Sequence, residues 1–280
     1  MSSPTIVISR GPSSDQGLEA PDGESRRAFE AALVELLKNR PWRILSIPHL
    51  YNLTAEHPAA RRLNAEKGRL VLVSWLHQRA ALWTLRALGI RPESDGDVVC
   101  LNAASFRSAQ ECVEKLSKET AGGEARFEEV NGEPSERWYP VIDYSLCGGC
   151  RRCLDYCLFG VYSLEEGRVK AFAPERCKNG CPACARVCPE GAIVFPHYTA
   201  DAAIAGAPGT KPSGDPIDFA AIAAFATDRA REKKAKTRDA CKCDCDCPPG
   251  KCERGGECDC DCTHSNDLDE LMKELDELDD

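Results

Sequence analysis

The sequence lacks any apolar run approaching the roughly 20 residues needed to cross a bilayer. It lacks the basic start and long apolar stretch of a secretory leader, since it opens MSSPTIVISRG. It also lacks an excess of positive charge: 36 Lys and Arg stand against 45 Asp and Glu, a net −9. These absences give expectations of no membrane span, a cytoplasmic location and no nucleic-acid partner. Cysteine is missing from the first 99 residues. After the first apolar run the chain reads SRGPSSDQGLEAPDG, which has neither G-x-G-x-x-G nor Walker spacing. A dinucleotide or P-loop nucleotide site at that position is therefore not expected.

What is abundant is cysteine. There are 18 in 280 residues, and 16 fall in two tracts after residue 146. In a reducing compartment such clusters read as metal thiolates rather than disulfides. The first tract is Cys147-x2-Cys150-x2-Cys153-x3-Cys157, then Cys177-x3-Cys181-x2-Cys184-x3-Cys188-Pro189. A [4Fe–4S] cubane needs four thiolates at the corners of a tetrahedron. Three cysteines at close intervals can wrap three corners from one loop, and the fourth must come from elsewhere. Two four-cysteine zinc sites are the alternative. They usually present two separated CxxC knuckles, and two triplets each trailed by a fourth cysteine fit that poorly.

Residues 138–196, from WYPVIDYSLCGGC to CPEGAIVFP, resemble the dicluster bacterial-type ferredoxin domain. The resemblance covers about a fifth of the chain. It implies a small α+β unit of two related halves, each a short hairpin and a helix, and it implies one-electron transfer while saying nothing about the partner. It also implies crossed ligation. Cys147, Cys150, Cys153 and Cys188 would hold one [4Fe–4S] cluster, and Cys177, Cys181, Cys184 and Cys157 the other. The chain departs from the family pattern at two points. Leu158 stands where a proline usually follows the fourth cysteine, and Cys177 and Cys181 are one residue farther apart than is commonest. Apolar residues expected to shield the clusters are Val141, Ile142, Leu154, Phe159, Val161, Val187, Ile193 and Val194.

Residues 1–121 alternate apolar runs with helical periodicity. Runs at Thr5–Ser9, Trp42–Ile47, Leu70–Trp75 and Asp97–Leu101 predict strands buried on both faces. Helices are predicted over Glu24–Asn39, Ala55–Lys67, His77–Leu88 and Phe106–Glu119, the last capped by Ser105. Alternation of this kind predicts a small doubly wound parallel α/β sheet of about four strands, with a possible fifth near Arg126–Val130. In pattern alone this resembles flavodoxin-like or chelatase units, although no histidine follows the first strand as a chelatase would want. Ligands of such sheets bind beyond the carboxyl ends of the strands. His49, Tyr51, His77 and Arg79 are therefore candidates for a small-molecule site. Cys100, inside a strand, and Cys112, on a helix face, read as small buried hydrophobes.

Residues 122–137 read as a linker into a ferredoxin domain at 138–197. Residues 198–240 read as a second linker carrying a helix over 217–236. The second tract, 241–264, reads CKCDCDCPPGKCERGGECDCDCTH and resembles metallothioneins in composition and C-x-C repeats. Cys241, Cys243, Cys245, Cys247, Cys252, Cys258, Cys260, Cys262 and His264 are candidate ligands for zinc or another soft metal. Residues 265–280 carry Leu268, Leu271, Met272, Leu275 and Leu278 at helical spacing among acids, an amphipathic helix suited to docking.

The functional expectation is an iron–sulfur electron carrier steered by its acidic surface to a basic redox partner. Two other classes remain open. One is an electron-fed enzyme subunit with a substrate at His49 and His77. The other is a metal-handling or sensing protein that uses the C-terminal tract.

Overall fold

Five short strands dominate the N-terminal half, and their sequences explain why they lie side by side. β1 (Thr5–Ser9), β2 (Arg43–Ile47), β3 (Leu70–Ser74), β4 (Val98–Asn102) and β5 (Arg126–Glu129) form one sheet in the order β4-β3-β1-β2-β5. Every neighbouring pair is parallel. Strands rich in Ile, Val and Leu can be buried on both faces, as parallel sheets require. All five residues of β1 and all five of β3 are buried. The computed structural model describes residues 4–12, 22–90, 98–120, 123–132 and 136–209. The readings at 217–236, 241–264 and 265–280 lie outside the described residues, and those described fall within one unit ending at Ile217.

Four helices return the chain between the strands: α1 (Gly23–Lys38), α2 (Pro58–Asn64), α3 (Gln78–Ala87) and α4 (Ala109–Glu119). The period-two alternation of the strands sorts them into layers. Ile6, Ile8, Val71 and Val73 pack with Leu33 and Leu37 of α1 and with Cys112, Val113 and Leu116 of α4. Val7, Leu45, Leu70 and Leu72 face the other way, onto Ala59, Ala60 and Leu63 of α2 and Ala80, Ala81 and Leu85 of α3. The sheet is thus doubly wound. Its fifth strand lies beside β2, so the β4-to-β5 connection crosses from one edge of the sheet to the other.

Local chemistry sets the ends of the elements. The Asp22 side chain caps α1 by accepting from the Ser25 N–H at 2.8 Å. The helix expected over Ala55–Lys67 is shorter, because Pro58 opens it and His57 caps it. Ser105 does not cap α4. It ends a single 3-10 turn, and Ser108 caps the helix by accepting from Glu111 N at 3.3 Å. Glu111 reaches back to accept from the Arg107 N–H at 2.8 Å, one residue before the cap, in a variant of the capping box. Cys112 is fully buried, and Cys100 is half-buried at the edge of the other layer.

The cysteine-bearing segment follows. β6 (Val141–Ile142) pairs antiparallel with β9 (Ile193–Val194), and β7 (Tyr162–Glu165) with β8 (Arg168–Ala171). Between them lie α5 (Arg152–Tyr156) and α6 (Ala183–Arg186), and α7 (Ala202–Ala205) closes the described chain. The β6–β9 ribbon has two working faces. Ile142 and Ile193 point into the core that surrounds the cysteines. Val141 and Val194 point the other way, into the α2–α3 layer of the sheet. Those two valines were expected to shield clusters, and alternation along the strand sends them to the other core instead. Phe159 is a second correction: it is 41% exposed and does not line the shielded interior.

Candidate metal centre and the covered sheet edge

The loop Cys147-Gly148-Gly149-Cys150-Arg151 curls tightly. Gly149 has φ +72° and Arg151 φ +63°. In the second loop Gly180 has φ +74° immediately before Cys181. Glycine supplies the left-handed backbone at both turns without strain, and the arginine adopts it at a cost.

A cavity of about 150 Å³ opens inside the first loop. By the same measure a single water needs only roughly 10–15 Å³. Its walls include Cys147, Cys150, Cys153 and Cys188, with Ile142, Ala192 and Ile193. Three of these cysteines come from the loop and the start of α5 that follows it, and the fourth from a segment 35 residues on from Cys153. The Ala192 N–H donates to Cys188 Sγ at 3.3 Å. Among the described residues, no group of three or more His, Cys, Asp or Glu is drawn together closely enough to hold a single metal ion.

Cys157, Cys177, Cys181 and Cys184 form the second group. Burial pushes the Cys177 thiol up to about 12, and its neighbours Cys181 and Cys157 push in the same direction. Burial raises Cys184 as well, with Cys177 and Cys157 among its neighbours. In the first group burial takes Cys153 to about 12, with Cys188, Cys147 and Cys150 adding to it. Buried thiols this close resist ionising together, and a metal core supplies the positive charge that makes thiolates of them. The Tyr162 hydroxyl is buried without a nitrogen or oxygen partner and faces the Cys184 thiol. A thiolate at Cys184 gives that hydroxyl its acceptor. Both groups therefore fit thiolate ligation of metal.

The proposed small-molecule residues are already engaged. His49, Tyr51 and Arg79 follow β2 and β3, where ligands of such sheets bind, and the cysteine-bearing segment covers them. Tyr51 is fully buried. Its hydroxyl accepts from Tyr139 N at 2.8 Å and donates to Tyr139 O, and the two rings stack at 4.4 Å. Arg79 Nε donates to Asp143 Oδ2 at 2.6 Å, and its Nη2 donates to Gly191 O. His77 is the half-buried residue ahead of α3 and makes no side-chain capping bond. Sequence reasoning missed Tyr139, Asp143, Gly191 and His197. Of these only Asp143 carried a local signal, as the first residue of an Asp-x-Ser turn: its Oδ1 accepts from Ser145 N at 3.0 Å.

His49 and His197 meet across this junction, Nε2 to Nε2 at 2.8 Å. His49 Nδ1 lies 3.0 Å from the Arg10 carbonyl, which can only accept. His49 therefore carries its proton on Nδ1, and His197 donates from Nε2. Both rings are neutral. Burial lowers His49 to about 3, assisted by His197 and the Arg26 charge and opposed by the Arg10 carbonyl and Glu136. Burial lowers His197 to about 4. Above pH 6.5 neither the folded nor the unfolded chain protonates these rings. As pH falls below 6.5, the unfolded chain takes up protons that the folded one refuses. Stability therefore falls with pH, by about 1.4 kcal/mol per unit for each histidine. Urea midpoints followed from pH 7 to 5 should drop less steeply in His49→Gln than in the native protein; equal slopes would show that the pair is not buried neutral.

No protein-family profile matches the chain. Over 60 residues it is 45% identical to an uncharacterized ferredoxin of Methanocaldococcus jannaschii. The match takes in 21% of this chain and spans 41% of that relative's length. Among the described residues, no helix is long and apolar enough to cross a membrane.

Proposed function

We propose that this protein is an electron carrier holding two [4Fe–4S] clusters, ligated by Cys147, Cys150, Cys153 and Cys188 and by Cys157, Cys177, Cys181 and Cys184. When bound, each cluster accepts and returns one electron. The observation that carries the reading is the cavity walled by four cysteines from two distant segments. The similarity to a ferredoxin supports the same chemistry. The chain's own work is to supply thiolates, to exclude water with Ile142, Val161 and Ile193, and to donate to sulfur from Ala192 N and the Tyr162 hydroxyl.

The partner is a redox protein. Leu158 is 93% exposed and Phe172 71%, and Leu146, Phe159 and Leu164 are also exposed around the cysteine loops. Exposed apolar side chains near the ligands in sequence suit a transient docking face. The net acidic chain steers it to a basic partner. The reading with a substrate at His49 and His77 finds less support, since His49 is committed to Arg10 and His197. The second tract, 241–264, remains a proposal for soft-metal binding.

Anaerobic purification with iron and sulfide analysis is the direct test. About eight of each per chain, with the spin-coupled EPR signal of two reduced cubanes, is the expected result. Zinc in place of iron after reconstitution would refute it.

A further inference from the structure

We propose that Arg79, on the N-terminal α/β sheet unit, is a positioning residue for the cysteine cavity: it clasps together the two segments that deliver Cys147 and Cys188. The inference rests on the ligand reading above and extends it to a residue far outside the cysteine tract.

Arg79 is the second residue of α3, and its guanidinium reaches two places that are distant in sequence. One is the Asp143 carboxylate, at 2.6 Å. The other is the Gly191 carbonyl. Each is one residue from a wall of the cavity, Ile142 on one side and Ala192 on the other. Asp143 sets the turn into the first loop, because its carbonyl accepts from Cys147 N at 3.0 Å and from Leu146 N at 3.2 Å. Gly191 closes the turn out of Cys188, donating to the Cys188 carbonyl at 3.1 Å, and its successor Ala192 donates to the Cys188 sulfur. The Asp143 N–H bonds to the Ala192 carbonyl at 2.7 Å, so the two turns already touch. One planar, forked cation bonded to both fixes their separation in a way a point charge cannot. Asp143 is 3% exposed, so the pair is shielded from water and its charges act on the cavity beside it.

The pair is neutral as a whole, and breaking it from either side leaves a charge of opposite sign next to the cavity. A negative charge disfavours the reduced cluster, and a positive one favours it. The experiment is a potentiometric titration of full-length Arg79→Met and Asp143→Asn, with iron release to a chelator timed alongside. Arg79→Met should make one cluster's potential more negative, and Asp143→Asn should make the same one more positive, with the other cluster unmoved. Iron release from that cluster should quicken about 10–100-fold in Arg79→Met, the usual effect of losing a group that orients a ligand. Arg79→Lys keeps the charge and loses the fork. It should hold the potential yet release iron faster, and it serves if Arg79→Met folds poorly. Both clusters behaving as in the native protein would overturn the inference and leave the ligand reading standing. Shifts in the same direction in Arg79→Met and Asp143→Asn would overturn it too, as the mark of general loosening. A native protein that binds no iron would overturn both.

Discussion

Cys188→Ala is expected to leave about four of eight iron atoms per chain, because one cubane of two loses a corner ligand. The same single loss is expected of Cys150→Ala. The informative variants are the doubles. Cys188 and Cys150 wall the same cavity although 38 residues separate them in the chain. If they share one cluster, Cys150→Ala/Cys188→Ala loses nothing further and still holds about four iron atoms. Cys181→Ala/Cys188→Ala should hold almost none, because the proposed assignment puts those two side chains on different clusters. The reverse pattern would mean that each run of four cysteines closes on itself, and the crossed assignment would be wrong. Iron analysis and EPR on anaerobically reconstituted protein read both outcomes.

Tyr51→Ala is expected to cost more stability than any other single change at the junction, about 3–5 kcal/mol for the lost ring alone. The ring stacks on Tyr139, meets His197 edge-on at 4.7 Å, and lies in the core that also holds Val141 and Val194. Its hydroxyl serves both backbone polar groups of Tyr139. Truncation orphans them in a dry interior, at about 1–3 kcal/mol. Tyr51→Phe isolates that smaller part. Urea unfolding followed by tryptophan fluorescence gives both values. A loss under about 1 kcal/mol in Tyr51→Ala would mean that the ring only fills space at a yielding surface.

How the sequence disclosed this arrangement depends on the range of each interaction. The strand runs are local, and β1 to β4 lie within a residue of where apolar content puts them. β5 is weaker in composition, with Arg126, Phe127, Glu128 and Glu129, and it is defined by its pairing with β2. The cap of α4 was legible but misread, because Ser108-x-x-Glu111 is the capping-box signature and Ser105 has no such partner. The resemblance to dicluster ferredoxins groups Cys147, Cys150, Cys153 and Cys188, and these four line one cavity. The junction was not legible. His49 meets a histidine 148 residues away, and Arg79 meets a carboxylate 64 residues away. No periodicity encodes such pairs. Three of the residues picked at the carboxyl ends of the strands, His49, Tyr51 and Arg79, meet another part of the same chain.

The two-residue ribbon β6–β9 bears on how the proposed metal centre would be built in time. Its valines belong to a core that needs only carbon packed on carbon. Its isoleucines belong to one that also holds the cysteines. On the proposed ligation, the sheet unit can therefore set one side of the ribbon before any iron binds, and a nascent chain would meet the metal with a wall of the site already standing. In ferredoxin-sized proteins without such a wall, ligand binding must order every side at once. Here part of that ordering is done in advance, so the iron-free chain should accept a cluster as a template rather than as a nucleus.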